Sequence, residues 1–214
     1  MKKRFGKFLR LCFIGVTFTA GAFLCGFERN AQGIPEALVI NNNPTIIVGD
    51  SRMVNVHDAV GDAGCDWMAT AGSTFNKLVE YSKVIDGMDL KGKRIVISYG
   101  INDINTPEPS LNSFFKYQNF MNTKALEWVN RGAKVYFTDI PGVTPVIRTL
   151  PGCENTAVDL INEYVRQFND LTVTGGFPSE IRHINLNIPA SQYADGLHYN
   201  EAACIYVFNR MMSE

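Results

Sequence analysis

Two short stretches of this chain hold the groups needed to activate a hydroxyl. One is "IIVGDSRMVN" (46–55), in which Ser51 follows a run of apolar β-formers. The other is "YADGLHYN" (193–200), in which Asp195 precedes His198 by three residues. A serine hydroxyl is a weak nucleophile until a base removes its proton, and the base needs a third group to hold its tautomer. The Asp195–His198 spacing lets the carboxylate turn back onto Nδ1 while Nε2 faces Ser51. A tetrahedral oxyanion also needs fixed donors. The backbone N–H of Ser51, that of Gly72 in "TAGST" and the side-chain amide of Asn102 in "GIND" are the candidates. Glycine at 72 presents no Cβ to an approaching substrate. Taken alone, Ser51 also fits a helix N-cap, and Asn102 also fits a turn residue. His57 and His183 are rival bases, but His57 falls within the helix after Ser51 and His183 begins a strand, away from its carboxyl end. Asp50 and Asp103 read as hydrogen-bonding groups that hold the loops.

These residues meet only if the elements between them bring them together. From residue 44 onward strand-like and helix-like segments alternate. "TIIVGD" (45–50), "KRIVISYG" (93–100) and "AKVYFTDI" (133–140) are short apolar runs without polar alternation, the mark of strands buried on both faces. "DWMATAG" (66–72) and "IRHINLN" (181–187) are weaker strands. Helices are predicted over 73–88, 110–132 with Gly132 as its stop, 155–173 and 200–214, besides the one after Ser51. The aromatic-rich "SFFKYQNF" (113–120) reads as a helix face turned to the sheet. The segment 141–155, rich in Pro and Gly, is long for a connection and is a candidate cover for a site. About five parallel strands joined by right-handed helical crossovers make a three-layer α/β/α sandwich. Such sheets bind ligands at the carboxyl ends of their strands. Ser51, Gly72, Asn102 and the Asp195–His198 segment each follow a strand, so all converge on one edge.

Together these blocks resemble the SGNH (GDSL-type) hydrolases. Gly49-Asp50-Ser51 is similar to the nucleophile block, Gly72 to the glycine block, Gly100-Ile101-Asn102-Asp103 to G-x-N-D, and Asp195-Gly196-Leu197-His198 to D-x-x-H, in the family's order. The resemblance implies a flavodoxin-like fold over residues 31–214 and ester hydrolysis with no metal or organic cofactor. Two positions depart from the family's pattern. Arg52 stands where leucine is common, and Tyr199 where proline is common after the histidine. An arginine beside the nucleophile suggests contact with a polar or anionic substrate. With the N-terminal leader and the single compact domain, Arg52 leads to the expected activity: removal of small acyl groups, acetyl above all, from a glycan or other polar extracellular ester. A lysophospholipase, a thioesterase, an acyl transferase and a non-catalytic glycan-binding domain are the alternatives on the same fold.

Bulk properties narrow the partners. Six of the 20 Lys and Arg and only one of the 21 acidic residues lie in residues 1–30, so the remainder carries a net charge of −6. An acidic body argues against nucleic acid. The basic start is followed by 17 uncharged residues, 11–27, intermediate between a signal-peptide core and a membrane span. Residues 1–30 therefore read as a cleaved signal or an uncleaved anchor. Either sends the domain outward, secreted or held on the outer face of the cytoplasmic membrane, with membrane contact through this segment alone. Cys65, Cys153 and Cys204 lie beyond it, either as one disulfide with a free thiol or as small buried hydrophobes. No Cys/His spacing suggests zinc, "LKGKRI" lacks the upstream glycine and the Ser/Thr of a phosphate loop, and no G-x-G-x-x-G follows a strand. A monomer is expected.

Overall fold

The computed structural model describes residues 36–104 and 111–213. The predicted leader, residues 1–30, lies outside them, and no described helix is long and apolar enough to cross a membrane. The chain runs β1 (Glu36–Val39), β2 (Thr45–Gly49), α1 (Ser51–Val60), β3 (Cys65–Thr70), α2 (Phe75–Asp86), β4 (Arg94–Ser98) and α3 (Ile101–Ile104). It continues through α4 (Asn112–Phe120), α5 (Leu126–Asn130), β5 (Lys134–Thr138), α6 (Val158–Leu171), β6 (Arg182–Ile184) and α7 (Glu201–Ser213). A widened π-type turn, Met121–Ala125, joins α4 to α5, so the predicted 110–132 helix forms with one irregular turn inside it. Gly132 ends it at φ +95, a conformation that few other residues adopt at low cost.

The sheet order is β1-β3-β2-β4-β5-β6. The five predicted strands are all present and parallel, and β1 adds an antiparallel edge beside β3, pairing Glu36 with Thr70 and Val39 with Trp67. "EALV" is too short to stand out in the sequence. It pairs because β3 would otherwise be left with an open edge. Only Ala37 of β1 is buried.

Strand alternation divides the core. Ile46, Val48, Ile95, Ile97, Val135 and Phe137 point to one face, against Leu78 of α2, Tyr117 of α4, Trp128 of α5 and Phe168 of α6. Ile47, Trp67, Val96 and Tyr136 point to the other, against Met53 and Val56 of α1 and Ala203 and Val207 of α7. Both faces are covered, which is why these strands lack polar alternation. In 113–120, Phe114 and Tyr117 meet Phe168, while Phe115 is exposed. Each fully buried ring of this cluster stabilises the layer by about 1.5–3 kcal/mol.

The first crossover runs from β2 to β3 on one side, and the next returns from β3 past β2 to β4 on the other, so the winding reverses beside β2. The crevice of an open sheet forms at such a reversal, outside the carboxyl ends. Ser51 follows β2 and Asn102 follows β4.

Candidate active site

The start of α1 separates the two roles that Ser51 could hold. Asp50 is the N-cap, and its carboxylate accepts from the Arg52 backbone N–H at 3.0 Å. Ser51 is thus the first helical residue, and its side chain is not spent on capping. Its Oγ lies 2.9 Å from Nε2 of His198. Burial pushes the Asp50 carboxyl up to about 6, with the positive charge of Arg52 opposing the rise.

The segment carrying His198 is a tight loop closed on itself. Tyr193 and Tyr199 form an antiparallel bridge, and the Ala194 N–H donates to the His198 carbonyl at 2.8 Å. At its tip one carboxylate oxygen of Asp195 accepts from the N–H groups of Leu197 and His198, at 2.9 and 2.7 Å, and the other lies 2.7 Å from His198 Nδ1. Burial alone would raise the Asp195 carboxyl, but the bonds from His198 and the two amides outweigh it and hold the group below its ordinary value. Gly196 sits at φ +89, and a Cβ there would fall on the backbone of Ile147. Its carbonyl accepts from the Thr144 N–H at 2.8 Å. The 141–155 segment, with a 3-10 turn at Pro145–Thr149, therefore braces the loop from beneath.

Gly72 occupies the turn after β3 at φ +67. Asn102, in the single turn α3, donates from Nδ2 to the Ser73 carbonyl at 2.9 Å, so it ties this turn to the end of β4. Its second amide hydrogen has no acceptor among the described residues. Asp103 caps α2 from a distance, accepting the Phe75 N–H at 3.1 Å, and takes the Tyr117 hydroxyl at 2.7 Å. Thr74, the N-cap residue of that helix, makes no capping bond with its own side chain. The rival histidines are elsewhere. His57 is 3.1 Å from Asp62 and packs edge-on to Trp67, and His183 lies in β6.

Arg52 requires a correction. A substrate-facing guanidinium was expected, but the side chain is only 3% exposed. Nε donates to the Leu197 carbonyl at 3.0 Å, Nη1 to Pro141 at 2.5 Å and Nη2 to Gly142 at 2.7 Å. The guanidinium carbon lies 5.4 and 5.9 Å from the ring centres of Tyr199 and Tyr193. Helix phase is the reason: with Ser51 turned to His198, the next residue turns inward under the loop. Tyr193 went unrecognised in the sequence. Its hydroxyl donates to the Gly142 carbonyl at 2.9 Å, and the only hint was a tyrosine on each side of the D-x-x-H motif. A cavity of about 400 Å³ behind this brace, lined by residues 139–144, α6 and Tyr193, includes neither Ser51 nor His198. Cys65, Cys153 and Cys204 are all buried.

Chemically, a hydroxyl, an imidazole and a half-buried carboxylate stand in series, with the hydroxyl at a helix N-terminus, whose dipole favours developing negative charge. Neither a protein-family model nor a curated protein sequence matches the chain. Solved structures do. A GDSL-like lipase from Bacteroides thetaiotaomicron aligns with TM-score 0.54 and 18% identity, over 82% of this chain and 89% of that one. An acetyl xylan esterase aligns with TM-score 0.51 and 14% identity, over 79% and 98%. The OSK domain of Drosophila Oskar, a name that states no ester chemistry, aligns with TM-score 0.54 and 12% identity, over 78% and 95%. Likeness at these identities extends to architecture and not to reaction. The chain has the three-layer α/β/α fold of the SGNH, or GDSL-type, hydrolases.

Proposed function

We propose that the chain is an exported serine esterase that removes small acyl groups, acetyl above all, from a glycan or another polar ester outside the cell. The observation that carries this reading is the series Ser51 Oγ, His198 and Asp195, at 2.9 and 2.7 Å. With Nδ1–H of His198 directed at Asp195, Nε2 accepts the Ser51 proton as Oγ attacks the ester carbonyl carbon. The N–H groups of Ser51 and Gly72 and the Asn102 amide receive the oxyanion. His198 then protonates the leaving alkoxide, and the acyl group stays on Ser51. Water, deprotonated by His198, attacks the acyl-enzyme and releases the acid. Asp195 keeps its charge throughout and stabilises the imidazolium.

Substrate choice rests on the leader, on the acidic body and on the architectural likeness to an acetyl xylan esterase. The inward turn of Arg52 removes the earlier reason to favour an anionic ester. Purified protein should release p-nitrophenol from p-nitrophenyl acetate and be labelled by a fluorophosphonate, and Ser51→Ala should do neither. Full activity in Ser51→Ala would end this mechanism. A screen of acetate release from acetylated cell-wall and plant glycans, beside long-chain p-nitrophenyl esters, tests the substrate. Faster turnover of the long chains would replace the acetyl-glycan reading with a lipolytic one.

A further inference from the structure

We propose that Arg52 is the positioning residue of this site: it locks the loop that carries Asp195 and His198 at hydrogen-bonding distance from Ser51. The inference rests on the serine-esterase reading and adds to it a residue that sets the nucleophile–base distance without touching substrate.

Ser51 and Arg52 are consecutive in the first turn of α1, and Leu197 and His198 are consecutive in the loop. Ser51 Oγ meets His198 Nε2 at 2.9 Å, while Arg52 Nε donates to the Leu197 carbonyl at 3.0 Å. Two adjacent residues of a rigid helix turn therefore hold two adjacent residues of the loop. A single attachment would leave the imidazole free to swing about it; two attachments fix the separation.

The other end of the guanidinium completes a closed circuit. Nη1 and Nη2 donate to the carbonyls of Pro141 and Gly142. The Gly142 carbonyl also takes the hydroxyl of Tyr193, at the base of the loop, and two residues further on the Thr144 N–H donates to Gly196 at its tip. Helix, arginine, β5 connection and histidine loop thus brace one another, with the guanidinium flanked by the rings of Tyr193 and Tyr199. The loop's own bonds, the Tyr193–Tyr199 bridge and the Asp195 carboxylate, make it internally stiff. Leu197 and Tyr199 seat it in the two core layers, and Arg52, Tyr193 and Gly196 add the directional hydrogen bonds that fix its height above α1.

Burying a guanidinium costs several kcal/mol unless its hydrogens are met by acceptors. Here three carbonyls in a forked arrangement meet it, which the planar side chain suits and an ammonium does not. At 3% exposure the group is shielded from any substrate.

The test uses the full chain with Arg52→Gln and Arg52→Lys. Activity is expressed per fluorophosphonate-reactive site, with kcat and KM measured on p-nitrophenyl acetate and on an acetylated glycan, and with the melting temperature taken in parallel. In Arg52→Gln, kcat per reactive site is expected to fall about 10²-fold, the usual cost of misplacing a reacting group by about 1 Å. KM should stay within about twofold, and both esters should lose the same factor. Arg52→Lys should also lose kcat, because one ammonium cannot span the carbonyls of 141, 142 and 197. If Arg52→Gln does not fold, the same comparison is read from Arg52→Lys. A lowered melting temperature with unchanged kcat per reactive site would reduce Arg52 to a structural residue and overturn the proposal. A larger loss on the glycan, carried by KM, would make it a substrate contact and overturn it too. Ser51→Ala, run alongside, separates the two levels. Activity surviving there removes the esterase reading, whereas Ser51-dependent activity that ignores Arg52 removes only the positioning role.

Discussion

Asp50 caps the helix of the nucleophile and is only 2% exposed, so its charge carries a cost that one substitution can expose. Burial raises its carboxyl from 3.8 to about 6; Arg52, the Arg52 N–H and His198 pull it down, and Asp103 adds to the rise. At 1.36 kcal/mol per pKa unit, that rise corresponds to about 3 kcal/mol of lost stability once the group is ionised. The sign follows from proton counting. Between pH 3.8 and about 6 the folded chain keeps the proton that the unfolded chain has released, so stability falls as pH rises through this window and levels off above it. An asparagine side chain at this position would retain the cap, since its carbonyl oxygen can still accept the Arg52 N–H, and would carry no charge. Asp50→Asn is therefore expected to be more stable than the parent at pH 7.5 by up to about 3 kcal/mol. For a domain of this size that is a rise in melting temperature of roughly 6–12 °C. The gap should close as pH falls toward 4. Thermal melts followed by circular dichroism at several pH values measure it. A variant that melts below the parent at pH 7.5, or a gap that does not change with pH, would refute the claim that Asp50 is held at a net cost when charged.

Asp195→Asn keeps the size of the group but replaces the acceptor at His198 Nδ1 and favours the wrong tautomer. Its kcat on p-nitrophenyl acetate should fall by about 10⁴ with little change in KM, and a loss of less than about tenfold would remove Asp195 from the relay. Gly196→Ala puts a Cβ against the backbone of Val146 and Ile147 at φ +89. The backbone conformation alone costs about 1–2 kcal/mol, so both melting temperature and kcat should drop, and parent-like values of both would show that the loop is not seated on 144–147.

Much of this site was legible because its groups sit at the ends of strongly patterned elements. The apolar runs at 45–50, 93–100 and 133–140 mark buried strands, and a parallel sheet sends whatever follows them to one edge. Order and spacing therefore direct Ser51, Gly72, Asn102 and the Asp195–His198 segment to that edge, where Ser51, His198 and Asp195 stand in hydrogen-bonding series. Strand β1 was not legible, because its four residues carry no pattern of their own and form only against β3. Nor was the cap of α2, since Asp103 reaches it from the turn after β4 rather than from the adjoining sequence.

Arg52 marks the boundary between the two kinds of information. Residue type and position said that a charged group stands beside the nucleophile, and both an open mouth and a buried brace fit that fact. The choice depends on helix phase and on carbonyls at 141, 142 and 197, about 90 and 145 residues away in the chain. Local patterning is set by neighbours within a few residues, so strand, turn and block order were determined by the sequence itself. The direction of a long side chain is set by whatever returns to meet it. For Arg52 only the tertiary structure decided that this was backbone and not solvent.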